Sequence, residues 1–93
     1  MIRSFRDRRT RLFYEEGRVP RQWRAFEEAA VRKLFFLETA TRLEDLRNPP
    51  GNRLEKLRGD RAGQYSIRIN SQWRVCFKWI DGAAGDVEIV DYH

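Results

Sequence analysis

From Tyr65 onward the chain alternates. The run Tyr65, Ser66, Ile67, Arg68, Ile69, Asn70 places an apolar side chain at every second position, and after Ser71–Gln72 the run Trp73, Arg74, Val75, Cys76, Phe77, Lys78, Trp79 does so again. A period of two, filled by β-branched and aromatic residues, predicts two strands that each have an apolar and a polar face. Trp73, Val75, Phe77 and Trp79 share one face, with Tyr65, Ile67 and Ile69 as their partners, while Arg68, Arg74 and Lys78 fall on the other. A third strand is expected over Val87 to Tyr92, after a turn running from Asp81 to Asp86. The apolar face needs a cover, and the arginine-bearing face calls for something anionic.

The cover lies upstream. Trp23, Phe26, Ala30, Leu34 and Leu37 recur three and four residues apart, the stripe of a helix packed on one side. Pro20 suits the first turn of that helix, and Glu28 with Arg32 forms a favourable pair four apart. An earlier helix is expected over Arg6 to Glu16, with Ser4 as N-cap, Asp7 in the first turn and Gly17 as C-terminal cap. Met1 to Phe5 is either an edge strand or the lead into this helix. Thr41 and Glu44 have the spacing of a capping box before a short turn through Leu43 and Leu46, and Asn48–Pro49–Pro50–Gly51 stops any helix. Asn52 to Arg58 reads as the first strand of the sheet, and Gly59 to Gly63 as the turn into Tyr65. The fold class is therefore α+β: two N-terminal helices packed on one face of a small, mostly antiparallel sheet of four to five strands, in one domain over residues 1–93.

Charge sharpens this picture. The chain carries 19 basic against 14 acidic residues, a net charge of +5 and a pI near 10.0. All the basic residues except Lys33, Lys56 and Lys78 are arginines, which favours planar, two-pronged recognition of phosphate or carboxylate. The lone cysteine excludes an internal disulfide, and Cys76, between Val75 and Phe77, reads as a small packed residue. One histidine cannot build a histidine-rich metal site, and the carboxylates show no ligand spacing, so neither metal nor cofactor is expected. No glycine-rich phosphate loop and no serine or cysteine nucleophile at a strand-to-helix elbow is present. No apolar run approaches the ~20 residues of a membrane span, and the arginine-dotted start is not a secretory signal, so a cytoplasmic location is expected. What chemistry remains rests on arginine, acid, tyrosine and His93. That histidine directly follows Asp91 and Tyr92 at the end of a strand pattern, and its charge switches most easily near neutral pH. Tyr92 offers a flat ring on which a base can stack.

The segment GNRLEKLRGDRAGQYSIRINSQWRVCFKW, with VEIVDYH at the end, resembles the HigB-type toxins of bacterial toxin–antitoxin pairs, in the RelE/ParE superfamily. The pattern L-x-G-D-R-x-G, the WR that opens a strand and the terminal DYH carry the resemblance, which extends over essentially the whole chain. It implies cleavage of messenger RNA, commonly at codons presented in the ribosomal A site. It also implies a cognate antitoxin with a helix-turn-helix DNA-binding domain, through which alone operator DNA would be met. By the same resemblance the catalytic site maps onto Glu55, Arg58, Arg74, Asp91, Tyr92 and His93, with Lys56, Arg61, Arg68 and Lys78 as RNA-binding residues. The family has a histidine where Glu55 stands here. A carboxylate can accept a proton but cannot donate one at neutral pH unless its pKa is raised, which leaves His93 as the better acid. Two readings from other classes are a non-catalytic toxin of the same fold acting on DNA gyrase, as in the ParE branch, and a plain basic RNA-binding module.

Overall fold

Helix α1 (Arg8–Glu16) opens at Asp7, whose carboxylate accepts from the Thr10 amide at 3.4 Å, and closes at Gly17, whose φ of 68° lets its N–H turn back to the helix carbonyls. The computed structural model from which this and the following geometry are taken describes residues 1–92. Ser4, expected as the cap, instead turns its hydroxyl toward the Asp86 amide at 2.9 Å, because the segment before α1 runs along a strand. The expected second helix is divided in two. Arg21–Phe26 is a tight 3-10 turn, and α2 (Glu27–Thr39) follows it. Trp23 causes the division. It is fully buried, meeting Phe13 edge-on at 5.4 Å and Trp73 at 6.4 Å, and the tight turn holds it between α1 and the sheet.

The sheet has four strands in sequential order: β1 (Glu55–Lys56), β2 (Tyr65–Arg68), β3 (Trp73–Ile80) and β4 (Ala83–Asp91), each antiparallel to the next. The expected facing pairs form, with Tyr65 opposite Phe77 and Ile67 opposite Val75. Strand β1 is shorter than the seven residues from Asn52 to Arg58 suggested, because Asn52 and Arg53 belong to a tight turn that begins at Pro50. The expected six-residue turn from Asp81 is also shorter. Asp81 and Gly82 both have positive φ, 51° and 78°, the two-residue hairpin turn favoured by Asp-Gly, so β4 begins at Ala83. Along its outer edge Met1 to Phe5 lies parallel to it, bridging at Ile2–Ala84 and Phe5–Val87. The capping carboxylate after α2 is that of Asp45 rather than Glu44, accepting from the Thr41 and Arg42 amides at 3.1 and 3.0 Å.

The core forms where α2 lies on the sheet's apolar face. Ala30, Leu34 and Leu37 are fully buried against Ile67, Val75, Phe77 and Ile89. Each large apolar side chain so buried contributes roughly 1.5–3 kcal/mol. Trp73 packs on Phe26 at 5.1 Å between ring centres, which fixes the start of β3 beneath the 3-10 turn. On its other face β3 carries Arg74 and Cys76, in register with Ser66 and Arg68 of β2 and with Glu88 and Val90 of β4. Among the described residues no helix is long and apolar enough to cross a membrane.

One hydroxyl ties α1 to the edge of β4. Thr10 is fully buried, and its Oγ1 accepts from the Ile89 amide at 3.1 Å, in the place a further strand would occupy. Thr10→Val keeps the shape but strands that buried N–H, so urea unfolding should show a loss of about 2 kcal/mol.

Candidate active site

The polar face of the sheet is built in rows. Glu55, Ser66, Cys76 and Glu88 pair across the four strands, and Arg68, Arg74 and Val90 form the next row. Paired residues point their side chains to the same side, so the register alone brings a carboxylate and two guanidiniums together. Tyr92, two residues beyond Val90, falls on this side too. Its amide is held by the Gln72 carbonyl at 2.7 Å, and the Arg74 guanidinium lies 5.8 Å from its ring centre.

Arg74 is the fixed point. The alternation suggested a side chain projecting into solvent, yet only 8% of the residue is exposed. The reason is the turn before β1, which folds over the polar face. There Arg53 adopts a left-handed conformation, φ 45° and ψ 57°, and its carbonyl accepts from Arg74 Nη2 at 2.6 Å. Nε donates to Ser66 Oγ at 2.7 Å, and Glu55 Oε2 stands 3.9 Å from Nη2. Among the described residues Nη1 has no hydrogen-bond partner. Its donors are thus available to a ligand.

These side chains line a cleft of about 270 Å3, walled by Arg53, Glu55, Arg68, Asn70, Ser71, Arg74 and Tyr92. Three guanidiniums face one carboxylate. Arg68 and Arg74 are direct cross-strand partners, and like charges so placed repel unless an anion lies between them. Asn70 has its side-chain oxygen engaged by the Gln72 and Trp73 amides, both at 2.8 Å. That holds the Asn70 side chain at the rim.

Of the ten site residues read from the sequence, the structure brings Glu55, Arg68, Arg74 and Tyr92 into this cleft. Asp91 does not line it. It pairs with Trp73 on the opposite face, and its carboxylate accepts from Gln72 Nε2 at 3.0 Å. Arg58 is exposed just before the Gly59–Arg61 turn and is not part of the cleft wall. Arg61 lies on the polar side but is committed to Glu88 at 2.8 Å. Lys78 pairs with Asp86 at 3.2 Å at the far end of β3, and Lys56 borders a separate depression with Arg47 and Tyr65. His93 lies outside the described residues. Sequence reasoning missed Arg53 and Ser66. Ser66 was legible in principle as the small polar residue facing Arg74's row, but Arg53 required knowing that the turn closes over the sheet. Burial pushes the Cys76 thiol up from its usual range, in keeping with a packed residue rather than a nucleophile.

A pocket with an anchored arginine at its base, further arginines on its walls and an aromatic ring beside them has the chemistry to suit an anionic ligand carrying flat groups. The chain belongs to the HigB family, RelE-like toxins of type II toxin–antitoxin systems, whose sequence model matches residues 3–93. It is 44% identical over 85 residues to Toxin HigB-1 of Vibrio cholerae, covering 90% of each chain. It is 34% identical over 96 residues to Endoribonuclease HigB of Proteus vulgaris, covering the whole of both. Its fold matches that of the YoeB–YefM complex from Staphylococcus aureus with a TM-score of 0.58, over 100% of this chain and 98% of that one, at 18% identity. As the toxin of such a pair, its protein partner is a cognate antitoxin.

The burial of Arg74 changes what its removal should do. Arg74→Ala leaves Ser66 Oγ and the Arg53 carbonyl without their donor, and losing hydrogen bonds to a charged group typically costs about 1.5–3 kcal/mol. Denaturant titration should therefore place Arg74→Ala well below the wild type in stability, whereas Arg68→Ala, at a partly exposed position, should stay within about 0.5 kcal/mol.

Proposed function

We propose that the chain is a messenger-RNA endonuclease that cuts transcripts on the translating ribosome, and so acts in the cytoplasm. The observation that carries this reading is the excess of guanidinium over carboxylate around a cleft with Tyr92 at its mouth. A phosphodiester supplies the missing negative charge, and the adjoining base supplies a face for the ring. The family match and the endoribonuclease relative in Proteus vulgaris support the same reading.

RNA brings its own nucleophile. The 2′-hydroxyl attacks the neighbouring phosphorus, so the protein need only orient it, take its proton, balance the charge of the phosphorane and return a proton to the departing 5′-oxygen. Glu55, on the cleft wall 3.9 Å from Arg74, is assigned the base. Arg74 meets the phosphorane through Nη1, with Arg58 as a second cation supplied from the adjoining turn. His93 is assigned the acid, Tyr92 the stacking platform, and Asp91 the role of holding the end of β4 through Gln72. Arg68 receives the flanking phosphate, with Lys56, Arg61 and Lys78 setting a basic surround. The products are a 2′,3′-cyclic phosphate and a 5′-hydroxyl, and every step draws on groups of the chain and the RNA. The antitoxin, with a helix-turn-helix domain, restrains the toxin and alone meets operator DNA.

Brief induction without antitoxin, followed by mapping of transcript 5′ ends, tests the reading directly. New 5′-hydroxyl ends within translated frames are expected, with protein synthesis falling before DNA synthesis. Collapse of DNA synthesis first, with intact transcripts, would favour action on gyrase and overturn it. In a variant lacking His93, thermal stability and antitoxin binding should persist. Single-turnover cleavage by that variant should fall by ~10²–10⁴. A 2′-deoxy substitution at the scissile nucleotide should abolish cleavage altogether.

A further inference from the structure

Behind the cleft runs a chain of buried polar contacts that the proposed mechanism does not use. Lys33, on α2, is only 8% exposed, and Asn52 is fully buried. Lys33 Nζ donates to Asn52 Oδ1 at 2.6 Å. Asn52 Nδ2 in turn donates to the Leu46 and Asn48 carbonyls at 3.1 and 3.2 Å, and its amide donates to the Pro49 carbonyl at 2.9 Å. The next residue is Arg53, whose amide donates to the Pro50 carbonyl at 3.1 Å and whose own carbonyl receives Arg74 Nη2.

We infer that Lys33 and Asn52 are positioning residues for Arg74, holding the Arg53 carbonyl where it orients the guanidinium so that Nη1 faces the cleft. This deepens the reading of Arg74 as the group that meets the phosphate, and it rests on that reading for its catalytic consequence.

The argument begins with the geometry of a planar fork. Ser66 holds Nε firmly through Oγ at 2.7 Å but reaches Nη2 only through its backbone carbonyl at 3.5 Å, a contact too long to stop the guanidinium turning about Nε. The bond from Nη2 to the Arg53 carbonyl supplies the second anchor and stops the rotation. Arg53 holds this carbonyl in place from a left-handed backbone conformation that a β-carbon disfavours. Such a conformation persists only where neighbours over-determine it, and the bonds of Asn52 to three carbonyls of the 46–49 segment do so. Lys33 completes the network by occupying the remaining acceptor of Asn52.

The choice of lysine points the same way. A buried ammonium is costly, and burial together with Arg32 and Arg68 lowers its pKa. An apolar side chain of similar length would fill the space at no such cost, as buried ion sites generally allow. What a lysine adds is a donor aimed at Asn52. Because α2 is packed on the core through Leu34 and Leu37, this bond ties the Arg53 turn to an element seated in the core.

The test uses the full chain and reads the guanidinium itself as well as the reaction. In the wild type, restricted rotation about Nε–Cζ should give resolved Arg74 Nη1 and Nη2 signals by NMR. In Lys33→Met and in Asn52→Ala those signals should coalesce while the Nε–H bonded to Ser66 stays protected. Single-turnover cleavage of RNA should fall roughly 10- to 100-fold, the scale of a misplaced catalytic group. Binding of an uncleavable 2′-deoxy RNA should change by less than about twofold, since the charge remains. Ile89→Val, a core change that touches none of these residues, should retain the wild-type rate and the resolved signals. A folded Lys33→Met or Asn52→Ala protein with resolved signals and wild-type cleavage overturns the inference. Should neither variant fold, averaged Arg74 Nη signals in the wild type overturn it, and resolved ones support it. A wild type that cleaves no RNA yet shows resolved signals that coalesce in the variants sinks the nuclease reading while leaving the positioning role intact.

Discussion

The N–H groups of a guanidinium that are taken out of water need partners, and the cost of leaving Nε and Nη2 bare constrains what surrounds Arg74. Ser66 occupies Nε from the neighbouring strand, which fixes the register of β2 against β3 at the point where the site is built. The Arg53 carbonyl occupies Nη2 from above, which draws the chain across the polar face and limits β1 to two residues. The turn that results carries Arg53 to the cleft wall and delivers Glu55 beside the same guanidinium. Burying one cation thus assembles a site from β1, β2, β3 and the turn before them.

The two faces of the sheet divide the work. On the apolar side, α2 and the Trp23 turn clamp β3 through Trp73, so that the residue next to Arg74 in sequence is locked in an aromatic cluster. On the polar side there is no helical cover, and the charged side chains sort themselves by pairing. Arg61 neutralises Glu88, and Lys78 neutralises Asp86. Among the described residues that wall the cleft, Arg53, Arg68 and Arg74 face one carboxylate, Glu55, which leaves an excess of positive charge at that end of the sheet.

Much of this was legible in the order of residues. The alternation after Tyr65 dictated which side chains meet the core and which meet each other, because a strand has no freedom to turn a residue to the wrong face. That Phe77 shares a face with Tyr65, and Arg74 with Arg68, follows from it, while the register that sets each pair directly opposite is fixed by the turn between the strands. The leucine and aromatic stripe after Pro20 likewise announced a helix and the face that it buries. What escaped was set by contacts distant in sequence. Trp23 tightens its own turn because Phe13 and Trp73 enclose it, and no local signal encodes that enclosure. The Asp81–Gly82 turn is written in the sequence, but the small residues after it resemble a loop until Met1 to Phe5 is seen to lie against them. Arg74 was readable as a member of the polar face and unreadable as buried, since the segment that covers it was itself mistaken for strand.

The carboxylate of Glu55, where the resemblance led to the expectation of a histidine, gains its meaning from this geometry. A neutral imidazole beside Arg74 would bring no charge, whereas a carboxylate 3.9 Å away offsets part of the cation that the phosphorane needs. The arrangement remains favourable to an anion because the opposing walls hold Arg53 and Arg68, so that one carboxylate is outnumbered. In return, on the proposed reading, the carboxylate places a proton acceptor beside the guanidinium assigned to the phosphate, where a 2′-hydroxyl would have to lie. An acceptor fixed on β1 places the matching demand for a donor on the other side of the phosphate, and β4 ends there. Its ladder continues through Asp91, and the Tyr92 amide is still bonded to Gln72, so order extends to the last described residue beside Arg74. On the proposed reading, Glu55 on β1 takes the proton, and its donor comes from the side of the cleft that Tyr92 walls.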